Sequence, residues 1–442
     1  GFFYFDRPSP GEANLGGART VAARPVLLGR DGVYDDVENV TVELSAEGEI
    51  RYTLDGSDPS ASSALYTGPI TLSETTVVRA IQIHDGELTS DSLDLSFIVN
   101  EHHTLPVVSL VSDPSNLFGG SGLYSNPGVE RERGGSVTLF ETDGTGFSIE
   151  CGIKLHGATS KLAQSKKSFK LCFRSRYEGE LHYDLFANGV TDFSSILLRA
   201  AQESTYSTYM RDNIMHQLAL RCFPELPAQD YKYSVLYING KYWGVYNIRE
   251  AHSAEHYAKH FGYDPDTVTQ WKEAWPSDSP VAEVYRYALN HSLTSDEYYN
   301  EVAKHINVDS VIGWAILQAY AGNVDFYPPN MRFYYSTEDD MMRYALVDLD
   351  LGMFAYNMFD PVENFGYAYN TLFKRLLQNK QFQLRMAEQL SDALHGPMSD
   401  ENVLALIDEL ADQIRPEMDR DRKRWAHGNA KLDCLEGWES SL

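Results

Sequence analysis

Tyr233-Ser234-Val235-Leu236-Tyr237-Ile238, then Asn239-Gly240, then Tyr242-Trp243-Gly244-Val245-Tyr246-Asn247-Ile248 is the stretch that decides the reading of this chain. Both runs are dense in β-branched and aromatic residues, and the dipeptide between them suits a type I′ turn, whose twist matches that of paired strands. A hairpin is expected, ending in Arg249-Glu250. Upstream, strand-like runs recur at 106–111, 135–140 and 168–173, the last two with apolar and polar residues alternating. One helix interrupts them at 205–221, because Tyr209, Ile214, Met215, Leu218 and Ala219 return near every 3.6 residues. Beyond residue 251 helices dominate, at 281–289, 295–305, 308–321, 371–378, 381–394 and 401–418. A strand pair, 331–335 and 344–350, lies among them. The expected fold class is α+β: a two-lobed domain over 101–442, with a β-rich lobe at about 105–250 and a helical lobe at about 251–442.

Ahead of that domain the pattern changes. Short β-rich runs at 40–44, 50–54, 70–72 and 76–83 are separated by Asp55-Gly56-Ser57-Asp58-Pro59 and His84-Asp85-Gly86, which predicts a small antiparallel sandwich over 21–100. Tyr52-Thr53-Leu54-Asp55-Gly56-Ser57-Asp58-Pro59, followed by Tyr66-Thr67-Gly68-Pro69-Ile70, resembles the fibronectin-like domain at the C-terminus of chitobiases. It is read as a spacer, since no chemistry stands out in it. Residues 1–20, rich in Gly, Pro and Ala, read as tail and linker.

The 442 residues are 43% hydrophobic and 23% charged, which excludes wholesale disorder. Acids outnumber bases 63 to 37, a net charge of -26 that disfavours nucleic acid as a partner. No membrane span is expected: the best apolar run, 311–321, falls well short of the roughly 20 residues a bilayer needs. Cys151, Cys172, Cys222 and Cys434 form no C-x-x-C pair, so no zinc-finger-type site is expected. They are read as buried thiols, with a Cys151–Cys172 disulfide as the alternative.

The residues that could carry chemistry begin at Gly322-Asn323-Val324-Asp325-Phe326-Tyr327-Pro328-Pro329-Asn330. Asp348 and Asp350 follow, then Gly352. Alternation along an expected strand would put both carboxylates on one face, where they repel unless a cation lies between them. Oxygen-rich sets of this kind suit Mg²⁺. Protein kinases use the same order: a catalytic-loop Asp, an Asn five residues on that holds metal, and a later D-x-G Asp that holds Mg²⁺. The earlier parts also come in kinase order. Gly157-Ala158-Thr159-Ser160 is a candidate phosphate-covering turn, and Lys170 should face away from the core that Phe169 and Leu171 enter.

Leu155-His156-Gly157-Ala158-Thr159-Ser160, Lys166-Lys167-Ser168-Phe169-Lys170-Leu171, the hairpin through Arg249-Glu250, Gly322-Asn323-Val324-Asp325 and Val347-Asp348-Leu349-Asp350 together resemble the CotH (spore coat protein H) family of atypical secreted protein kinases, over about 105–430. The resemblance implies ATP and Mg²⁺ or Mn²⁺, and transfer to Ser or Thr of a secreted, cell-surface or coat protein, Ser-rich and basic in character. It implies a bacterial protein outside the cell, exported by a segment beyond this sequence. By position Asp325 would be the catalytic Asp. Asn330, Asp348 and Asp350 would hold metal. Lys170, Ser160, Lys161 and, at the adenine hinge, Glu250 would bind the nucleotide. The sequence departs from the family at His156, where Arg is common, at Val347, where Trp is usual, and at Pro328-Pro329. The alternative is therefore a catalytically degenerate surface adhesin or coat-assembly protein. A carbohydrate-surface protein, with the sandwich as binder, is a third reading. Arg211-Asp212 is read as a surface ion pair, ahead of a carboxylate partner for the strand lysine. His252, His256 and His260 recur every four residues and are read as a polar helix face rather than a metal set.

Overall fold

The computed structural model describes residues 4–5, 17–200, 208–323, 325–326, 328, 330–353, 367–425 and 433–442. Seven strands close into a barrel: β1 (Val107–Val111), β2 (Arg133–Phe140), β3 (Gly146–His156), β4 (Ser168–Cys172), β5 (Ser195–Arg199), β6 (Tyr231–Ile238) and β7 (Lys241–Glu250). Around the barrel the order is β1-β2-β3-β4-β5-β7-β6. Neighbours pair antiparallel except β6 and β1, which close the ring in parallel. Closure is not part of the two-lobed expectation. It depends on matching Val107 with Val235, a pairing across more than 120 residues that no local pattern encodes.

The expected hairpin is β6–β7. Asn239 and Gly240 have φ of +48° and +73°, the two left-handed residues a type I′ turn requires. Alternate residues such as Val137, Ile153, Leu171, Leu198, Leu236 and Ile248 fill the barrel. The intervening residues face outward, and paired positions share that face: Lys154 lies beside Lys170, and Arg199 beside Asn247. Two barrel strands escape the sequence reading. β3 does alternate, with Phe147, Ile149, Cys151 and Ile153 against Ser148, Glu150, Gly152 and Lys154, whereas β5 is Ser195-Ile196-Leu197-Leu198-Arg199, an apolar run without alternation.

The helical part packs on the outer face of β6 and β7, where Tyr233, Val235, Tyr237 and Val245 join its core. Four of its helices bear on the site: α1 (Arg211–Cys222), α2 (Ala254–Phe261), α3 (Val308–Ala321) and α4 (Asp400–Arg424). The helix expected from 205 begins at Arg211, since Tyr209 is left-handed at φ +68°; residues 205–207 lie outside the described ones. α3 has the expected bounds. The Asn307 side chain accepts from Ser310 N, and Gly322, at φ +55°, ends it. The expected strand pair gains a third member, giving a sheet of β8 (Val268–Lys272), β9 (Arg332–Ser336) and β10 (Met341–Ala345).

The N-terminal region is all-β, as expected. A five-stranded sheet that includes Glu49–Thr53, Thr76–Ile83 and Leu93–Val99 encloses Val42, Leu72, Val78 and Phe97. It is tied to the barrel by Ser96 Oγ donating to Ser109 Oγ at 2.7 Å and Ser136 Oγ donating to Asp94 at 2.8 Å. All four cysteines are free thiols, so the disulfide alternative is not realised.

α4 reaches back to the hairpin through Asp421. Its buried carboxylate accepts from Lys166 Nζ and Val245 N, each at 2.7 Å, and from Tyr209 OH at 2.6 Å. The close approach needs Gly244, at φ +111°, where an added Cβ would lie 2.3 Å from Asp421 Oδ1 and 2.9 Å from Trp425 Nε1. Gly262 is also left-handed, at φ +75°, but its Cβ would meet nothing within 4 Å. Gly262→Ala should therefore cost only backbone strain, about 1–3 kcal/mol. Gly244→Ala should cost clearly more, because the clash is added. Urea midpoints of the two variants compare them, and equal midpoints would rule out this account of Gly244.

Candidate active site

β10 ends at Ala345, so Asp348 and Asp350 do not share a strand face as expected. They belong to a turn in which Asp348 is left-handed, at φ +55°. The turn nonetheless brings both carboxylates to one point, the guanidinium of Arg199 at the end of β5. Arg199 Nη2 contacts Asp348 and lies 2.6 Å from Asp350, while Nη1 lies 3.2 Å from Asp212 on α1. Leu349, buried between the two carboxylates, donates its N–H to Asp212 Oδ1 at 2.7 Å. Behind Asp212, fully buried Arg249 of β7 binds both Asp212 and Asn213. Burial pushes the Asp212 carboxyl up, but the Arg199 and Arg249 guanidiniums outweigh it and hold it well below the usual carboxylate range. Asp212 is thus neither half of a surface ion pair nor the partner of Lys170. It is the buried brace under the Asp348–Asp350 turn.

Asp325 and Asn330 are brought together. Asn330 Nδ2 donates to Asp325 Oδ2 at 2.8 Å and to the Asp325 carbonyl at 3.1 Å. Asn323, fully buried, accepts from Asp325 N at 3.1 Å and donates to Gln318 at 2.9 Å, anchoring the segment to α3. The Asp348 turn reaches the same end of α3: Met353 N donates to Ala321 O at 2.6 Å, and Gly352 abuts Ala321.

Lys170 is half-buried on the outer face of β4, as alternation predicts. It borders the same region, because His156 feels Lys170, Arg199, Asp348 and Arg332 together. The His156 imidazole is held below its ordinary value, first by burial and then by the Arg199 charge, with Asp348 opposing. In a chain of net charge -26, Lys170, Arg199 and Arg332 gather beside the carboxylates of this cleft.

Two other expected nucleotide contacts have their charged groups occupied. Lys161, on the short helix Thr159–Ala163 with Ser160, is ion-paired to Glu130. The turn itself requires glycine at residue 157, where φ is +101°. Glu250 is fully buried. It accepts from Asp230 N at 2.7 Å and from His260 Nε2 at 2.8 Å, so its carboxylate faces histidines rather than an open pocket. Burial raises the Glu250 carboxyl, but His256 and His260 outweigh it and hold it below the ordinary value.

Arg199 and Asp421 escape the sequence reading, and Asp212, Lys166 and Arg249 enter it without the buried partners they have here. The signal for Arg199 is a charge closing an apolar strand run, Ser195-Ile196-Leu197-Leu198-Arg199. The assembled donors are hard oxygens, the class that Mg²⁺ and Mn²⁺ prefer. Arg199 shows that one cation can meet Asp348 and Asp350 at once, so the residues present fit a divalent ion. Among the described residues no helix is long and apolar enough to cross a membrane.

No curated protein matches the chain. The family model for the chitobiase/beta-hexosaminidase C-terminal domain matches residues 30–93, the all-β region. The model described as CotH kinase protein matches residues 153–434, which takes in β4 to β10, α1 to α4 and every acidic residue of the cleft. With well over half its length matched, and with the carboxylate cleft inside that span, the chain belongs to the CotH kinase protein family.

Proposed function

We propose that this chain is an ATP-dependent kinase that phosphorylates Ser or Thr of a secreted or cell-surface protein, with Mg²⁺ or Mn²⁺. The observation that carries the reading is the meeting of Asp348 and Asp350 on one cationic group, Arg199. When bound, the metal neutralises charge on the transferring phosphoryl group. Asp348 and Asp350 would hold it, joined by Asn330 through its amide oxygen, since the amide nitrogen already bonds Asp325. Lys170 and Arg332 would offer cations to the triphosphate, and the metal would offset the carboxylates beside it. The barrel and the helical part would act as the two kinase lobes, with the nucleotide between them. Asp325, held in place by Asn330 and Asn323, would accept the proton of the acceptor hydroxyl. Ser160 and the backbone of its turn would cover the phosphates. Any hinge contact at Glu250 would come from the chain around it, because its carboxylate is bound to His260.

The test is phosphate transfer from ATP to a Ser-rich basic protein, with Mg²⁺ or Mn²⁺, beside calorimetric ATP titration. Asp325→Ala is expected to lower transfer by about 10²–10⁴-fold, the usual contribution of a positioned base, while metal-dependent ATP binding persists. The second reading, a non-catalytic adhesin or coat-assembly protein, draws on the same Arg199, which already bridges both carboxylates without metal. Metal-dependent ATP binding with no transfer to any acceptor would decide for it.

A further inference from the structure

Glu250 and two histidines meet at the junction between the barrel and the helical part, away from the Asp348 turn. Ser253 caps α2 by accepting from His256 N at 3.0 Å, and Gly262 ends it, which fixes the helix's rotation at its first turn. His256 and His260, four residues apart, therefore project from one face. Their rings pack edge to face, 4.4 Å between centroids. That face lies over the last residue of β7. His260 Nε2 is 2.8 Å from Glu250 Oε1, and His256 Nε2 is 3.4 Å from Glu250 Oε2. One donor atom from each residue lies within 4.8 Å of the others.

We propose that Glu250, His256 and His260 form a zinc site that clamps the end of β7 to α2. Zinc bonds of about 2.0–2.1 Å at tetrahedral angles place donor atoms about 3.3 Å apart, close to the spacing between His256 and Glu250. Two imidazoles and one carboxylate suit zinc rather than Mg²⁺, which prefers oxygen ligands alone. The surroundings already orient the carboxylate, as outer groups do in metal sites. Asp230 N donates to Glu250 Oε2 at 2.7 Å, and Asn188 donates to Glu250 Oε1 at 3.3 Å and to Asp230 at 2.7 Å. The His260 side chain retains 24% of its surface exposure, which gives the ion a path in and a water the fourth position. The proposal does not depend on the kinase reading, since no cleft residue takes part.

The experiment uses the full chain, stripped with chelator and titrated with Zn²⁺, and with Co²⁺ as a spectroscopic probe. One Zn²⁺ per chain should bind, Zn²⁺ should raise the melting temperature, and Co²⁺ should give the intense visible bands of a tetrahedral site. His256→Gln and His260→Gln keep a donor facing Glu250 but remove the imidazole ligand. Each should weaken Zn²⁺ binding at least about tenfold to a hundredfold, the range for lesser, outer-group losses. His395→Gln, at the exposed end of another helix, should leave it unchanged. No Zn²⁺ uptake by the native chain, octahedral Co²⁺ spectra, or equal affinity in both histidine variants would overturn the assignment.

Discussion

Asp212→Ala is expected to cost about 3–5 kcal/mol of folding stability, the range for removing one partner of a buried ion pair. The residue is 6% exposed and holds two guanidiniums and a backbone amide. Removing it leaves Arg249, which is fully buried, facing the neutral Asn213 amide and the Tyr231 ring with no counter-charge from Asp212. A cation stripped of its counter-charge in that position cannot reach water without moving β7 away from α1. Against a total stability of about 5–15 kcal/mol, such a loss is a large fraction. Asp212→Asn should fall between, because an amide oxygen still accepts from Leu349 N but supplies no charge. Urea unfolding followed by tryptophan fluorescence gives the numbers. A loss below about 1 kcal/mol for the alanine variant would mean that Asn213 satisfies Arg249 unaided, and the brace would lose its physical basis. The function should suffer further than the fold. With residue 212 neutral, Arg199 loses one counter-charge and holds Asp348 and Asp350, the carboxylates proposed for metal, more tightly, so the asparagine variant should still fold yet bind Mg²⁺–ATP more weakly.

Asp212 also marks where a sequence stops being readable. The β6–β7 hairpin was legible because the whole signal is local: alternating residues and a dipeptide that tolerates two positive φ values. α3 was legible for the same reason, an apolar run between an Asn cap and a Gly stop. The barrel was not, because its closing contact joins β1 to β6 and depends on the tertiary fold. The acidic pair is legible from spacing, but strand alternation does not apply where the chain turns at a left-handed Asp348. The two carboxylates converge nonetheless, because they are close in sequence and meet the same cation. What spacing could not supply was the cation itself. Arg199 lies some 150 residues away, at the end of a strand whose Ile196-Leu197-Leu198 run shows no alternation. Helical period did predict that His256 and His260 share a face. It could not show that Glu250, from the preceding strand, lies opposite them.

The second large effect is expected at the carboxylates. Asp348→Ala and Asp350→Ala should each lower metal-dependent ATP affinity at least about tenfold to a hundredfold, since even outer groups of a metal site contribute that much. Without metal the two substitutions should matter little. Arg199 keeps Asp212 as a partner, so losing one partly exposed carboxylate leaves its charge compensated. The two variants should also differ from each other. The Asp350 side chain is 11% exposed and that of Asp348 is 32% exposed, so Asp350 is the better shielded from water and its removal should cost more affinity. Both should remain folded, because neither residue accepts the Leu349 amide that braces the turn. Calorimetric ATP titration with and without Mg²⁺ or Mn²⁺ separates the terms. Equal affinity for metal-bound ATP in the native chain and both variants would remove the metal from these carboxylates and leave Arg199 as their permanent partner. A loss that appears without metal as strongly as with it would show that the substitutions act on the turn and not on the ion.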